Sequence, residues 1–394
     1  MKNWLVPVPF LLLLFVLPFP GTVALRLLCL LAAFLIAAVT WKKLAPPTLP
    51  HKSLFALWIG FALASLLYAV DPSYSLGEIK NEIGYTMMAL FAFLAFFDER
   101  RKVVWGAWAI AASLAVISVW GLWSWSQLGL WKEDGGHGGS GTYAGLVLMA
   151  LPALVLIWSW QPKWRWLVAG IGLVALLAAA YSRQRAFWPA LGVELGLLIF
   201  LLHFRKTNAL SGRRVLGSLA LILAAGAIFI GATQGARFGL HGGAVEMGND
   251  PRLQNWPAVV ARIGEQPWVG AGFGRNAMKL GHPDLLPPAA PLFWHAHNLF
   301  LNYALALGVP GMLALVVLFA GLFLVYWRMY RSEHPDVAVI GIAGMLLFFA
   351  VISRNLSNDF FQRDVALLFW SMNGLLLGYA IRASGSRMVS RPVA

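Results

Sequence analysis

The stretch WHAHNLFLNYALALGVPG, Trp294 to Gly311, opens with two histidines one alanine apart and continues as an apolar helix into the run 309–328. A run of about 17 to 25 apolar residues crosses a bilayer as a helix. Further runs of this kind lie near 4–20, 23–40, 53–70, 79–97, 103–126, 142–160, 164–182, 185–203, 214–234, 337–353 and 364–382. Twelve spans result. The expected fold is therefore an all-α polytopic membrane protein with about twelve transmembrane helices. Composition agrees, since 60% of the residues are hydrophobic and 12% charged, against about 25% charged in soluble chains. Pro7, Pro9, Pro18 and Pro20, and the missing small-x-small cleavage pattern, make the first run a span and not a signal peptide.

Orientation follows from Lys and Arg, which collect in cytoplasmic loops. With the N-terminus inside, eighteen of the thirty fall on the cytoplasmic side: Lys2, Lys42, Lys43, Lys52, Arg100, Arg101, Lys102, Lys163, Arg165, Arg205, Lys206, Arg213, Arg214, Arg328, Arg331, Arg382, Arg387 and Arg391. Short outer loops hold Lys80, Lys132, Arg183, Arg185, Arg354 and Arg363, and one long outer segment holds Arg237, Arg252, Arg262, Arg275 and Lys279. Arg26 lies inside the second span. Both termini are thus expected in the cytoplasm. The same bias explains the net charge of +14 without nucleic acid, whose grooves interleave cations with aromatics on one soluble face. A single cysteine, Cys29, excludes an intramolecular disulfide and a thiolate metal cluster. WSWQPKWRW at 158–166 reads as an interfacial aromatic belt.

Three parts follow: 1–234 with spans one to nine, a large outer loop at 235–308, and 309–394 with spans ten to twelve and a cytoplasmic tail. A loop of that length carries function more often than it merely connects. It contains a glycine-rich entry (235–250), a helical pattern after Pro251, a glycine turn VGAGFGRN (269–276) and a proline-rich return ending at Trp294. In an α-helix His297, Leu301 and Gly308, at offsets 0, 4 and 11, fall within about 40° of one another and share one stripe. The segment is then expected to lie at the outer interface, re-entrant or in-plane, ahead of span ten.

His297 has a bland reading as a helix-capping residue. H-x-H without further ligands is a weak metal signal, and no Cys, His or carboxylate cluster sits nearby, so no metal or other cofactor is expected. An imidazole acting as a base titrates near working pH. Its company is cationic. Arg183 and Arg185, in YSRQRAFW, occupy a tight outer turn and suggest an anion, with snorkelling to headgroups as the alternative. Arg252 stands four residues before Trp256 on a helical face, where stacking or an ion pair is the plainer role. Lys80, in SYSLGEIKNEIGY, adds a cation or pairs with Glu78 or Glu82. An imidazole with several guanidinium groups suits sugar transfer from a polyprenyl diphosphate. Arg forks stabilise the leaving diphosphate, a base activates the acceptor hydroxyl, and one displacement inverts the anomeric centre.

His297-Asn298, Leu301 and Gly308 resemble the H-[NSQ]-x-x-L-x-x-x-x-x-x-G signature of the O-antigen ligase family. So do Ser182-Arg183, the R-x-x-x-W of Arg252 and Trp256, and the P-x-x-G-x-G-x-G of Pro267 to Gly274. The resemblance implies a GT-C-like fold with a large periplasmic loop containing short helices. It also implies transfer of O-antigen from undecaprenyl diphosphate to the lipid A-core oligosaccharide at the periplasmic face of the bacterial inner membrane, without metal or nucleotide. By resemblance His297 is the base and Arg183 and Arg252 contact the diphosphate, with Arg185 and Lys80 as further candidates. His295, Asn298, Leu301, Gly308 and Trp256 support the motif. O-antigen polymerases and protein O-oligosaccharyltransferases share this architecture and differ in acceptor. A lipid or glycan transporter is the more distant alternative. Against it, the two halves show no repeat and Glu194 is the one acidic residue clearly within a span.

Overall fold

The structure, a computed structural model, describes residues 6–184, 186–205, 251–286 and 294–385, with Pro251, Leu253 and Gln254 described by backbone alone. Among these residues every regular element is helical. In order they are α1 (Val8–Val16), α2 (Val23–Val39), α3 (Trp41–Leu44), α4 (Lys52–Ala64), α5 (Pro72–Ile79), α6 (Tyr85–Phe96), α7 (Arg100–Leu128) and α8 (Ser140–Trp160). They continue as α9 (Arg165–Tyr181), α10 (Phe187–His203), α11 (Pro251–Glu265), α12 (Ala277–Gly281), α13 (Leu299–Tyr330), α14 (Pro335–Asn355) and α15 (Arg363–Ser384).

A helix stands at each expected run except 214–234, which lies outside the described residues, as do Arg185, residues 235–250, most of the proline-rich return and the tail beyond 385. Among the described residues six helical segments are long and apolar enough to cross a membrane: α7, α8, Pro162–Tyr181, α13, α14 and α15. Shorter apolar helices are Val23–Val39, Lys52–Leu67 and Phe187–His203. The chain is a multi-pass membrane protein. Proline and backbone irregularity shorten the remaining runs. Pro7 and Pro18 bracket α1, and the 79–97 run enters α6 through a π-helical turn, Lys80–Gly84. Such turns widen a helix locally and cluster at functional sites.

The packing is sequential at the periphery and long-range at the centre. α6 lies along α15, α14 lies against α8, α10 and α13, and α4 packs on α13. At one end the Arg382 guanidinium donates to four carbonyls, Gly378 O of its own helix at 2.7 Å and, across elements, Leu94 O and Leu44 O at 3.0 Å and Ala95 O at 3.1 Å. Orphan carbonyls at helix ends need such donors. The opposite end gathers the starts of α8, α13 and α15, the end of α14 and the turn after α9.

The single-stripe reading of His297, Leu301 and Gly308 is corrected. α13 begins at Leu299, with Asn298 as its N-cap, so His297 lies outside the helix at φ +48°. Gly308 interrupts it at φ +74°, ψ +171°. The capping amide and the glycine break win over continuous helical periodicity. The short segment ahead of span ten and the span itself form one element of 32 residues divided at Gly308.

The charge bias makes a topology prediction. A reporter fused after Trp131 is expected to read periplasmic and one fused after Arg205 cytoplasmic. Reversed readings at both positions would put the histidine end of the bundle on the wrong side.

Candidate active site

The break at Gly308 frees helix carbonyls, and the glycine turn before α12 supplies their partners. Pro310 has no N–H to return to Ala306 O, and Val309 N–H turns instead to Pro267 O at 2.8 Å. Ala271 N–H therefore donates to Leu305 O (2.8 Å) and Gly272 N–H to Ala306 O (3.0 Å). The backbones touch. A Cβ at Gly270 would stand 2.3 Å from the carbonyl carbon of Ala306, and one at Gly308 would stand 2.7 Å from Trp268 C and O. This explains why P-x-x-G-x-G-x-G and the distant glycine of the histidine motif occur in one sequence: each is the other's docking surface. Phe273 N–H on Ser65 Oγ (3.1 Å) and Asn276 N–H on the Tyr74 hydroxyl (3.1 Å) fasten the same segment to the α4–α5 region. It delivers Arg275.

The two histidines are held differently. His295 is buried and faces donors at both ring nitrogens, the His297 backbone N–H at Nδ1 (3.0 Å) and Arg275 Nη2 at Nε2 (2.8 Å). A neutral imidazole has one lone pair to offer, and a protonated one has none. Burial, with the Arg275, His297 and Arg252 charges adding to it, accordingly pushes His295 down to about 2. His295 is a fixed neutral ring. His297, half-buried, stacks on it at 3.9 Å between ring centroids, 31° from parallel. Its Nδ1 stands 3.4 Å from Asn358 Oδ1. An amide oxygen there suits a proton on Nδ1, the tautomer that leaves the lone pair to Nε2. A left-handed φ on a non-glycine residue costs on the order of 1 kcal/mol, and the flanking side chains hold it. Asn298 Oδ1 accepts from Phe300 N–H (2.9 Å) and Leu301 N–H (3.0 Å), while its amide donates to Leu356 O (2.8 Å). Trp256 Nε1 donates to Ala296 O at 2.9 Å, tying α11 to the residue between the histidines.

Cations surround this pair. Arg275 lies against the Trp294 ring (4.7 Å to its centroid) and has Asp359 Oδ2 at 3.6 Å from Nε. Burial raises Asp359 to about 6, with Arg275 pulling it back. Arg252, half-buried in the first turn of α11, is within electrostatic reach of His295. Beside Arg275 is a small cleft lined by Glu82, Asn302, Tyr303, Asp359 and Gln362 among others. Glu82 Oε1 and Asn302 Oδ1 are buried there without hydrogen-bond partners.

The structure brings His297, His295, Asn298, Trp256 and Arg252 together. Leu301 and Gly308 act through the backbone. Arg183 is exposed at φ +57° in the turn after α9. Its neighbour Gln184 ties that turn to the site end, donating to Ser140 Oγ at 2.6 Å and accepting from Arg354 at 3.3 Å. Lys80 is exposed on the π-helical turn, and among the described residues no hydrogen bond or ion pair joins it to the histidines. Arg185 lies outside the described residues.

The histidine motif, the glycine segment and the arginine turn thus meet at one end of the bundle. Residues 172–316 match the family model described as O-antigen ligase. The O-antigen ligase match runs from within α9 to within α13, less than half of the chain, and takes in Arg183, Arg252, Arg275, His295 and His297. Comparison with curated proteins finds no match. Glu82, Arg354, Asn358, Asp359 and Phe360 complete the site from outside the matched residues. In the sequence Glu82 stands only as a partner for Lys80, Arg275 and Arg354 stand only as loop charges, and Asn358, Asp359 and Phe360 go unread. The signal that could have found them is RNLSNDFFQR, 354–363, a concentration of Asn, Asp and Arg in one short connection.

Proposed function

We propose that the chain is an O-antigen ligase, a glycosyltransferase that moves O-antigen polysaccharide from undecaprenyl diphosphate to lipid A-core oligosaccharide. The observation that carries this reading is the unequal histidine pair within the O-antigen ligase match. One ring is locked neutral against Arg275, and the other has its lone pair on Nε2, beside guanidinium groups suited to a diphosphate. In the proposed step the acceptor hydroxyl gives its proton to His297 Nε2 as its oxygen bonds to the anomeric carbon. The bond from that carbon to the phosphate oxygen breaks, and undecaprenyl diphosphate leaves with its charge on Arg183 and Arg252, to which Arg185 adds. Lys80 assists from the π-helical turn. One displacement inverts the anomeric configuration. The proposed location is the bacterial inner membrane, with both termini cytoplasmic and this end of the bundle periplasmic.

The test is purified protein incubated with undecaprenyl-diphosphate-linked glycan and lipid A-core in the presence of EDTA. Glycan joined to lipid A-core is expected, with undiminished yield in chelator, because the proposed chemistry needs charge from arginine and a base from histidine. Activity lost in chelator and restored by magnesium, calcium or zinc would sink the metal-free step. Glycan joined only to another lipid-linked chain would make the protein a polymerase, and glycan joined to a pilin hydroxyl would make it a protein O-oligosaccharyltransferase.

A further inference from the structure

Arg354 closes α14, where a basic residue commonly complements the helix dipole. Its surroundings call for more than that. The residue is only 2% exposed. Nη2 donates to Gln184 Oε1 (3.3 Å) and Gly141 O (3.5 Å), and the Phe360 ring covers the guanidinium at 4.8 Å. Nε and Nη1 have no hydrogen-bond partner, which leaves one N–H on the first and two on the second unanswered. Among the described residues no carboxylate pairs with Arg354. The charge that does act on it is a second cation, Arg252.

A buried guanidinium with unanswered N–H groups and a second cation within electrostatic reach is costly unless an anion joins them. The position is also built. Asn355 Oδ1 accepts from the backbone N–H groups of Phe360 (2.7 Å) and Phe361 (3.1 Å), fixing the Phe360 ring. Both Arg354 and Arg275 lie against that ring, at 4.8 and 5.8 Å from its centroid. We infer that Arg354 is an anion ligand of this site, forming with Arg252 a two-guanidinium seat for a phosphate group of the donor. The identity of the donor rests on the proposed function; the seat itself rests on the buried unanswered N–H groups. Gln184 acts as a positioning residue, holding Arg354 from the turn that also carries Arg183.

The test uses the full chain in phosphatidylcholine nanodiscs, as wild type, Arg354→Gln and Arg354→Lys, each checked for folding by thermal melting. Each is titrated with farnesyl diphosphate and with inorganic pyrophosphate, and melted again in nanodiscs containing phosphatidylglycerol. Wild type is expected to bind farnesyl diphosphate, Arg354→Gln to bind it at least about tenfold more weakly, and Arg354→Lys to fall between, because lysine keeps the charge and loses the fork. If Arg354→Gln does not fold, Arg354→Lys decides alone. Unchanged farnesyl diphosphate affinity in the folded variants would overturn the seat and leave the proposed donor standing. Arg354-dependent response to pyrophosphate or phosphatidylglycerol, with no binding of farnesyl diphosphate, would keep the seat and remove the donor. Failure of wild type to bind any of the three would overturn the inference.

Discussion

Replacing His297 with alanine is expected to lower glycan transfer by about 10²-fold or more, the scale of a lost general base, while donor affinity and melting temperature stay near wild type. The ring is half-buried, stacked on His295 and within 3.4 Å of Asn358 Oδ1, so alanine there removes a side chain from the rim of the core and not from its centre. His295→Ala is expected to behave in the opposite way. That ring is buried between the His297 N–H that sustains the left-handed turn and the Arg275 guanidinium. Its loss should lower the melting temperature and weaken transfer less. Added imidazole separates the two variants further. It should restore part of the activity to His297→Ala, where a proton acceptor is missing, and none to His295→Ala, where a scaffold is missing. Undiminished transfer by folded His297→Ala would reject the base assignment. Equal losses in both variants, neither rescued, would make the pair structural.

The membrane class and nearly all helix positions were legible because apolar runs report burial in lipid residue by residue. Charge in such a chain stands out, which is why the sequence sets arginines beside the histidine motif, yet Arg275, which contacts the pair, was not among them. Long-range partnerships could not be read in this way. Gly308 has no visible link to Gly270 in the sequence, yet a break in one helix and the close approach of a loop require both. The helical stripe fails on a local competition. The Asn298 side chain accepts the N–H groups of Phe300 and Leu301, which a helix begun at the histidines would have turned toward carbonyls further back in the chain. The helix therefore starts at Leu299, and His297 is left outside it. Arg275 and Arg354 looked like loop charges, and Asp359 drew no reading, because burial of a polar residue depends on partners far away in the chain, and a hydropathy pattern carries none of that.

Deleting Arg275 is expected to produce the second large effect, on stability and transfer together. Asp359 is 3% exposed and has Arg275 as its ionic partner. Removing one partner of such a pair leaves a buried charge behind and costs on the order of 3 kcal/mol, whereas replacing both is often close to neutral. Arg275→Met should therefore lower the melting temperature markedly, and Arg275→Met with Asp359→Asn should bring it back. The pH dependence has a definite sign. Burial holds the folded carboxyl at about 6, above its ordinary value of 3.8, so Asp359 takes stability away as pH rises between those values. Without Arg275 the folded value goes higher still. The penalty in Arg275→Met is thus largest above about pH 6 and shrinks as acid protonates the carboxyl. His295 works in the other direction, losing stability as pH falls below its ordinary 6.5, because its folded value lies near 2; Arg275→Met removes one of the charges that hold it down, so its share cancels only between Arg275→Met and the double variant. Transfer should separate what melting does not. If Arg275 acts on the donor, the stable double variant remains about 10²-fold slow, the scale of a lost stabilising donor at a reacting centre. A double variant that regains both stability and transfer would reduce Arg275 to a counter-ion for Asp359.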